Sequence, residues 1–194
     1  MKKPINETCW AEAPAKIWNI INDMQDNQTG AINLENLPAA IQRAVENDIE
    51  WTYFDFETIW PDYCSKEIAD PFGSMVKAKR LARAAGLKIM QANYWEDVPR
   101  PGTPQTGKVT WKKWWAAHAR TGDAVDIQLP GYPQNDVQTF GALTKSAVDI
   151  IKKANPNIEW ILINMIEYMS DDKAGLERAW QAAKPHVQGR WVWK

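Results

Sequence analysis

The sequence predicts an α/β fold built from successive parallel βα units, and three observations carry that prediction. From about residue 35 onward, strand-length apolar segments alternate with helix-length amphipathic ones. The segment "IEWILINMI" at 158–166 is almost wholly apolar, as expected for a strand covered on both faces. Little filler separates the units, so right-handed βαβ crossovers account for most of the chain.

Taken in order, "AKIWNIIND" at 15–23 is a possible first strand inside an N-terminal arm that runs over residues 1–34. "ENLPAAIQRAVEN" reads as a helix and "IEWTYFDFE" as the second strand. After a long loop, "SMVKAKRLARAAG" sets Met75, Ala78, Leu81, Ala82 and Ala85 on one helical face, with Gly86 as a natural stop. "LKIMQANYW" follows as a strand, "TWKKWWAAHARTG" as a helix ending at Gly122, and "AVDIQLPGY" as a strand. The clearest helix is "DVQTFGALTKSAVDIIKKANP". It repeats apolar residues at Val137, Phe140, Leu143, Ala147, Ile150, Ile151 and Ala154, with Asp136 as cap and Pro156 as stop. "IEWILINMI", the helix "DDKAGLERAWQAAKPHV" and the terminal strand "GRWVWK" complete the plan.

That makes six strands and five helices in a single domain spanning residues 1–194. A complete eight-stranded barrel needs ~250 residues. The expected fold is therefore a reduced or incomplete TIM-like barrel, with an open doubly wound sheet as the alternative. No strand is followed by a Gly-rich phosphate loop, which lowers the weight of a nucleotide-binding sheet and leaves no cofactor implied.

Charge is nearly balanced, 23 Lys and Arg against 24 Asp and Glu, and the basic residues are scattered along helical segments. Nucleic acid and anionic membrane are therefore not expected as partners. No apolar run approaches the ~20 residues that span a bilayer, and "MKKPINETCW" lacks the apolar core of a signal peptide. As written the chain reads as cytoplasmic; a secreted chain shorn of its leader would read the same. Cys9 and Cys64 suit neither a zinc module nor a redox pair, and are expected as two thiols or as one disulfide holding the arm.

Tryptophan occurs twelve times, which calls for an aromatic core or for a surface that stacks on flat ligands. Trp111, Trp114 and Trp115 have helical spacing and read as core, whereas Trp60, Trp95 and Trp193 fall at strand ends or in loops and suit ligand stacking.

In either parallel architecture the ligand site forms where strands end and the following loops begin. The second strand brings Tyr53, Asp55 and Glu57 to that rim. The third brings Gln91, Asn93, Tyr94, Trp95 and Glu96, the fourth Asp126, Gln128 and Tyr132, the fifth Asn164, Glu167 and Tyr168, and the last Trp191 and Trp193. Residues two apart on a strand point the same way, about 6.6 Å apart. Asp55 and Glu57 thus share a face with Tyr53. Two close carboxylates on a buried face cannot both ionise cheaply, so one becomes a proton donor beside an acceptor. Glycosidic bond cleavage uses such a pair, and aromatic rings nearby stack on sugar faces.

The plainer role for these acids is a helix cap or an ion pair, with Lys77, Lys79, Arg80 and Arg83 on the next helix as possible partners. Glu167 is a candidate second carboxylate across the rim. Asp126, Gln128, Asn164, Asn93 and Tyr132 are candidate substrate contacts, or else a polar layer satisfied by its neighbours. His118 and His186 have no Ser–His–Asp or H-E-x-x-H setting, so neither a triad nor a zinc site is expected.

The run "YFDFE" at 53–57 resembles the end of the D-x-x-D-x-D-x-E motif of chitinase-like glycoside hydrolases. That resemblance implies Glu57 as the acid and Asp55 as the residue that assists the substrate's acetamido group. Glu50 and Tyr53 stand where the motif has its earlier acids. Over residues 50–193, "YFDFETIWPDYCSKEIADP", "KAKRLARAAGLKIMQA", "GDAVDIQLPGYPQND" and "AVDIIKKANPNIEWILINM" resemble a group of bacterial proteins of unsettled activity with a barrel-like βα plan.

The expected function is that of a glycoside-hydrolase-like enzyme acting on a poly- or oligosaccharide, with Glu57 as acid/base, Asp55 as its partner and Glu167 as second carboxylate. The alternative is a non-catalytic carbohydrate-binding or structural module on the same barrel. Closure of the barrel through a homodimer is a further possibility.

Overall fold

The computed structural model describes residues 17–19, 37–54, 79–92, 98, 110–129, 137–166 and 173–193. In chain order the elements are β1 (Ile17–Asn19), α1 (Leu37–Glu46), β2 (Trp51–Phe54), helix α2 over 79–84, β3 (Lys88–Gln91), α3 (Trp111–Thr121), β4 (Ala124–Ile127), α4 (Val137–Ala154), β5 (Trp160–Ile166), α5 (Lys173–Ala183) and β6 (Gly189–Trp193). The six strands and five helices expected from the alternation are all present.

The strands form one parallel sheet in the order β1-β2-β3-β4-β5-β6. This order decides between the two architectures. A doubly wound sheet reverses direction at a switch point, whereas here each strand is laid beside the one before it. The fold is an incomplete TIM-like barrel, and among the described residues β1 and β6 are its two edges.

The helices cover one face of the sheet. Val125, Ile127, Ile161 and Ile163 pack with Trp111 and Trp115 of α3, Phe140, Ala147 and Ile151 of α4, and Trp180 of α5. A smaller cluster joins Leu37, Ala40, Ile41 and Ala44 of α1 to Ala82, Leu87 and Ile89. Gln91 pairs in register with Val125, so Ile89 and Gln91 lie on the same helix-facing side as the larger core. The other face carries Met90, Ala124 and Leu162, all fully buried, and it is the barrel interior.

Local chemistry explains the element boundaries. Thr110 caps α3 by accepting a bond from Lys113 N–H, and Gly122 closes it by donating to His118 O at 3.1 Å. Gly86 stops α2 as expected, with φ at 85°, a left-handed conformation that glycine adopts without strain. Gly122 is needed for another reason: a Cβ there would lie 2.6 Å from Ala124 O and 3.0 Å from Gln91 Cβ.

The rotation of α2 departs from the expected one. Leu81, placed on the apolar face by spacing, is 40 % exposed, and Ala85 is exposed too, while Lys79 is only 1 % exposed. Two polar contacts set this rotation. Lys79 Nζ donates to Gln91 Oε1, and Arg83 on the same helix forms a 3.0 Å ion pair with Asp123. Arg83 is thereby committed at the amino-terminal end of β4.

The same end of the sheet carries further ion pairs. Lys88 lies between Glu159 at 2.8 Å and Glu50 at 3.3 Å, with its ammonium 5.1 Å from the Trp51 ring centroid. Glu50, at the position of an earlier acid in the chitinase-like motif, is thus a partner of Lys88 before β2 begins. No described helix is long and apolar enough to cross a membrane.

Candidate functional site

β4 and β5 build the interior polar layer through strict alternation. Val125, Ile127 and Leu129 enter the helix-facing core, so Asp126 and Gln128 project to the opposite face. Ile161 and Ile163 do the same in β5, leaving Leu162 and Asn164 inside. Asp126 pairs in register with Leu162, and Asn164 stands two residues further toward the carboxyl end of β5. From there Asn164 Nδ2 donates to Asp126 Oδ2 at 2.7 Å.

Asp126 is wholly buried, Asn164 is 3 % and Gln128 6 % exposed. A buried carboxylate is costly unless it is paired and hydrogen-bonded, and the Asn164 amide supplies one such bond. That bond also orients the amide: with nitrogen toward the carboxylate, Asn164 Oδ1 must point elsewhere in the interior. It meets no hydrogen-bond partner among the described residues.

Tyr53 pairs with Met90 in the β2–β3 register, and Trp193 pairs with Ile166, so their backbone positions belong to the interior-facing rows. Asp55, Glu57, Trp60, Asn93, Trp95, Tyr132 and Glu167 lie outside the described residues, as do Cys9 and Cys64.

Gln91, expected at the rim, is instead on the helix-facing side with a second buried polar group. Its carbonyl accepts from Lys79, and its Nε2 donates to Ala92 O at 2.8 Å. His118 of α3 is close by, 1 % exposed, with Nδ1 2.9 Å from Trp114 O. Its ring lies 4.8 Å from that of Trp114 and 5.6 Å from that of Trp115. Burial pushes the Lys79 amine well below the usual lysine range, and neighbouring Arg83 adds to the effect while Asp123 opposes it. Burial likewise lowers His118 to about 3, against the bond to Trp114 O and with a further push from Lys79. His118 is therefore neutral near pH 7.

This cluster was absent from the candidate residues. The available signal was parity: Gln91 shares the side of Ile89, and His118 follows Trp114 by one helical turn. Trp111, Trp114 and Trp115 are core residues as their spacing implied, at 6 %, 2 % and 0 % exposure. Among the described residues, no group of three or more His, Cys, Asp or Glu side chains is placed to hold a metal.

The chain matches no protein-family model and no curated protein. Among solved structures it is similar to an endo-1,4-β-mannanase from Eisenia fetida, with TM-score 0.49 and 10 % identity over 92 % of this chain and 66 % of that one. It is also similar to a glycoside hydrolase, with TM-score 0.48 and 11 % identity over 79 % of this chain and 53 % of that one. The chain thus spans about two thirds and about half of the lengths of these two proteins.

Proposed function

We propose that this protein is a glycosidase-like hydrolase of poly- or oligosaccharides, with its site at the carboxyl ends of the interior strands. The observation that carries the reading is the buried Asp126–Asn164 pair on the interior face, in a parallel sheet of barrel order. Barrels of this kind place their chemistry at that end, and buried polar pairs off the hydrophobic core are costly to keep without a use. In this reading Glu57 protonates the leaving oxygen, Asp55 stabilises the developing charge or the substrate's acetamido group, and Glu167 is the second carboxylate. Asp126, Gln128 and Asn164 contact the sugar, together with Tyr53, Asn93 and Tyr132, while Trp60, Trp95 and Trp193 provide stacking faces.

The test is hydrolysis of a panel of soluble glycans by wild type and by Glu57→Gln. Cleavage by wild type, reduced at least a hundredfold in Glu57→Gln, is expected because a general acid contributes ~10²–10⁴ in rate. Binding of sugar without cleavage by wild type would instead favour a non-catalytic carbohydrate-binding module.

A further inference from the structure

Asn164 is bonded through half of its amide. Its side chain is almost wholly buried, yet only its nitrogen is used: Nδ2 donates to Asp126 at 2.7 Å, and Oδ1 has no hydrogen-bond partner among the described residues. A buried carbonyl left without a donor costs ~1–3 kcal/mol, so native proteins seldom keep one except where a ligand or another group completes it.

Rotating the amide cannot relieve this. With Asp126 ionised, a flip would set Oδ1 against its carboxylate, two acceptors in contact. Asp126 therefore acts on Asn164 as a clamp that keeps the acceptor turned away from itself. Asn164 lies in the carboxyl half of β5, on the face that carries Asp126. The group that completes Oδ1 must be a hydrogen-bond donor small enough to enter among strand side chains.

Resting on the glycosidase reading, we infer that Asn164 is a specificity-determining residue whose Oδ1 accepts one hydroxyl of the bound sugar, with Asp126 as the positioning residue that holds the amide in the accepting orientation. A neutral acceptor held in one direction reads the presence of a single hydroxyl. A site built to bond a substrate hydroxyl rejects the analogue lacking it, because its own buried group is then left unpaired. The substrate class follows: a sugar with a free hydroxyl at the position facing β5, and not one deoxygenated or acylated there.

The experiment is titration calorimetry on the full chain carrying Glu57→Gln, so that ligand is not consumed. The probes are soluble oligosaccharides of glucose, mannose and N-acetylglucosamine, followed by the monodeoxy analogues of the tightest binder. One monodeoxy position is expected to lose ~10-fold in affinity in this parent, and less than about twofold once Asn164→Ala is added. The other positions should keep their discrimination, which a merely structural role for Asn164 would not produce. Asp126→Asn provides a second variant that needs no deletion: it removes the clamp, and discrimination at the same single position is expected to fall to about threefold.

Equal loss across all analogues, or unchanged discrimination in Asn164→Ala and Asp126→Asn, overturns the inference while leaving the glycosidase reading standing. Loss of parent binding on adding a chelator assigns Oδ1 to a cation and overturns it too. Failure of the parent to bind any probe overturns this inference and the proposed function together.

Discussion

On the helix-facing side of the sheet, Lys79 and Gln91 bond to each other, with His118 near them beneath the aromatic rings of α3. On the interior side, Asp126 and Asn164 also bond to each other, and Asn164 Oδ1 meets no hydrogen-bond partner among the described residues. Both groups are buried and polar, yet their chemistry differs. Burial depresses the pKa of both ionisable members of the first group, and the Lys79–Gln91 bond ties α2 to β3. The second carries an acceptor, Asn164 Oδ1, with no partner among the described residues, which adds nothing to folding and suits the proposed recognition role. Hydrogen bonding alone does not separate the two, since Trp115 Nε1 on the helix-facing side likewise meets no partner among the described residues; the difference is that Lys79 and Gln91 join a helix to a strand, whereas Asp126 and Asn164 join two strands on the interior face.

The comparison is most exposed to removal of Gln91. Gln91→Leu takes the amide acceptor from a fully buried amine and should lower the unfolding free energy by about 3 kcal/mol, measured by denaturant titration. Gly122→Ala tests the same wall of the cluster. The added methyl would press on Ala124 O and Gln91 Cβ, and a loss of about 2 kcal/mol is expected in the same assay.

Acid should distinguish the two groups next. His118 takes up a proton at about pH 6.5 when unfolded and only near 3 when folded. Its folded pKa is depressed, and the neutral form is the one the fold holds. In that window the unfolded chain binds more protons, so stability is full above pH 6.5 and falls as pH drops toward 3. The His118 contribution is a slope approaching about 1.4 kcal/mol per pH unit, and a pH series of melting curves should show it missing in His118→Gln.

The smallest effect is expected on the interior side. Asp126→Asn keeps an acceptor for Asn164 Nδ2 and removes a buried charge, so stability should stay within about 1 kcal/mol of wild type. A loss as large as that of Gln91→Leu would mean that both groups are structural and would remove the contrast between them.

Much of the fold was legible because the chain alternates two periods with little between them. The 18-residue α4 and the apolar β5 are long enough to leave no ambiguity, and "VDIQL" alone sets Asp126 and Gln128 opposite the core. The strand order was not legible, since consecutive and doubly wound sheets use the same βα units. In β3, Ile89, Met90, Gln91 and Ala92 are all buried, so parity pairs Gln91 with Ile89 but no polar face marks which side is the interior. The rotation of α2 was misread for a related reason. Apolar spacing favoured Leu81, but a buried acceptor on β3 and an aspartate before β4 hold Lys79 and Arg83 where they lie. Of the candidate site, alternation identified Asp126 and Asn164, but not that one would orient the other, because that depends on the register between β4 and β5.

The consecutive strand order also bears on how the chain acquires its structure. Every strand finds its partner in the segment completed just before it, so no pairing waits for a distant part of the sequence. Loop closure is then short at each step, and a chain emerging from its amino terminus can extend the sheet one unit at a time. The interior acceptor of Asn164 is set only at the fourth of the five strand pairings, when β5 reaches β4, so the proposed recognition group matures after the helix-facing cluster around Gln91.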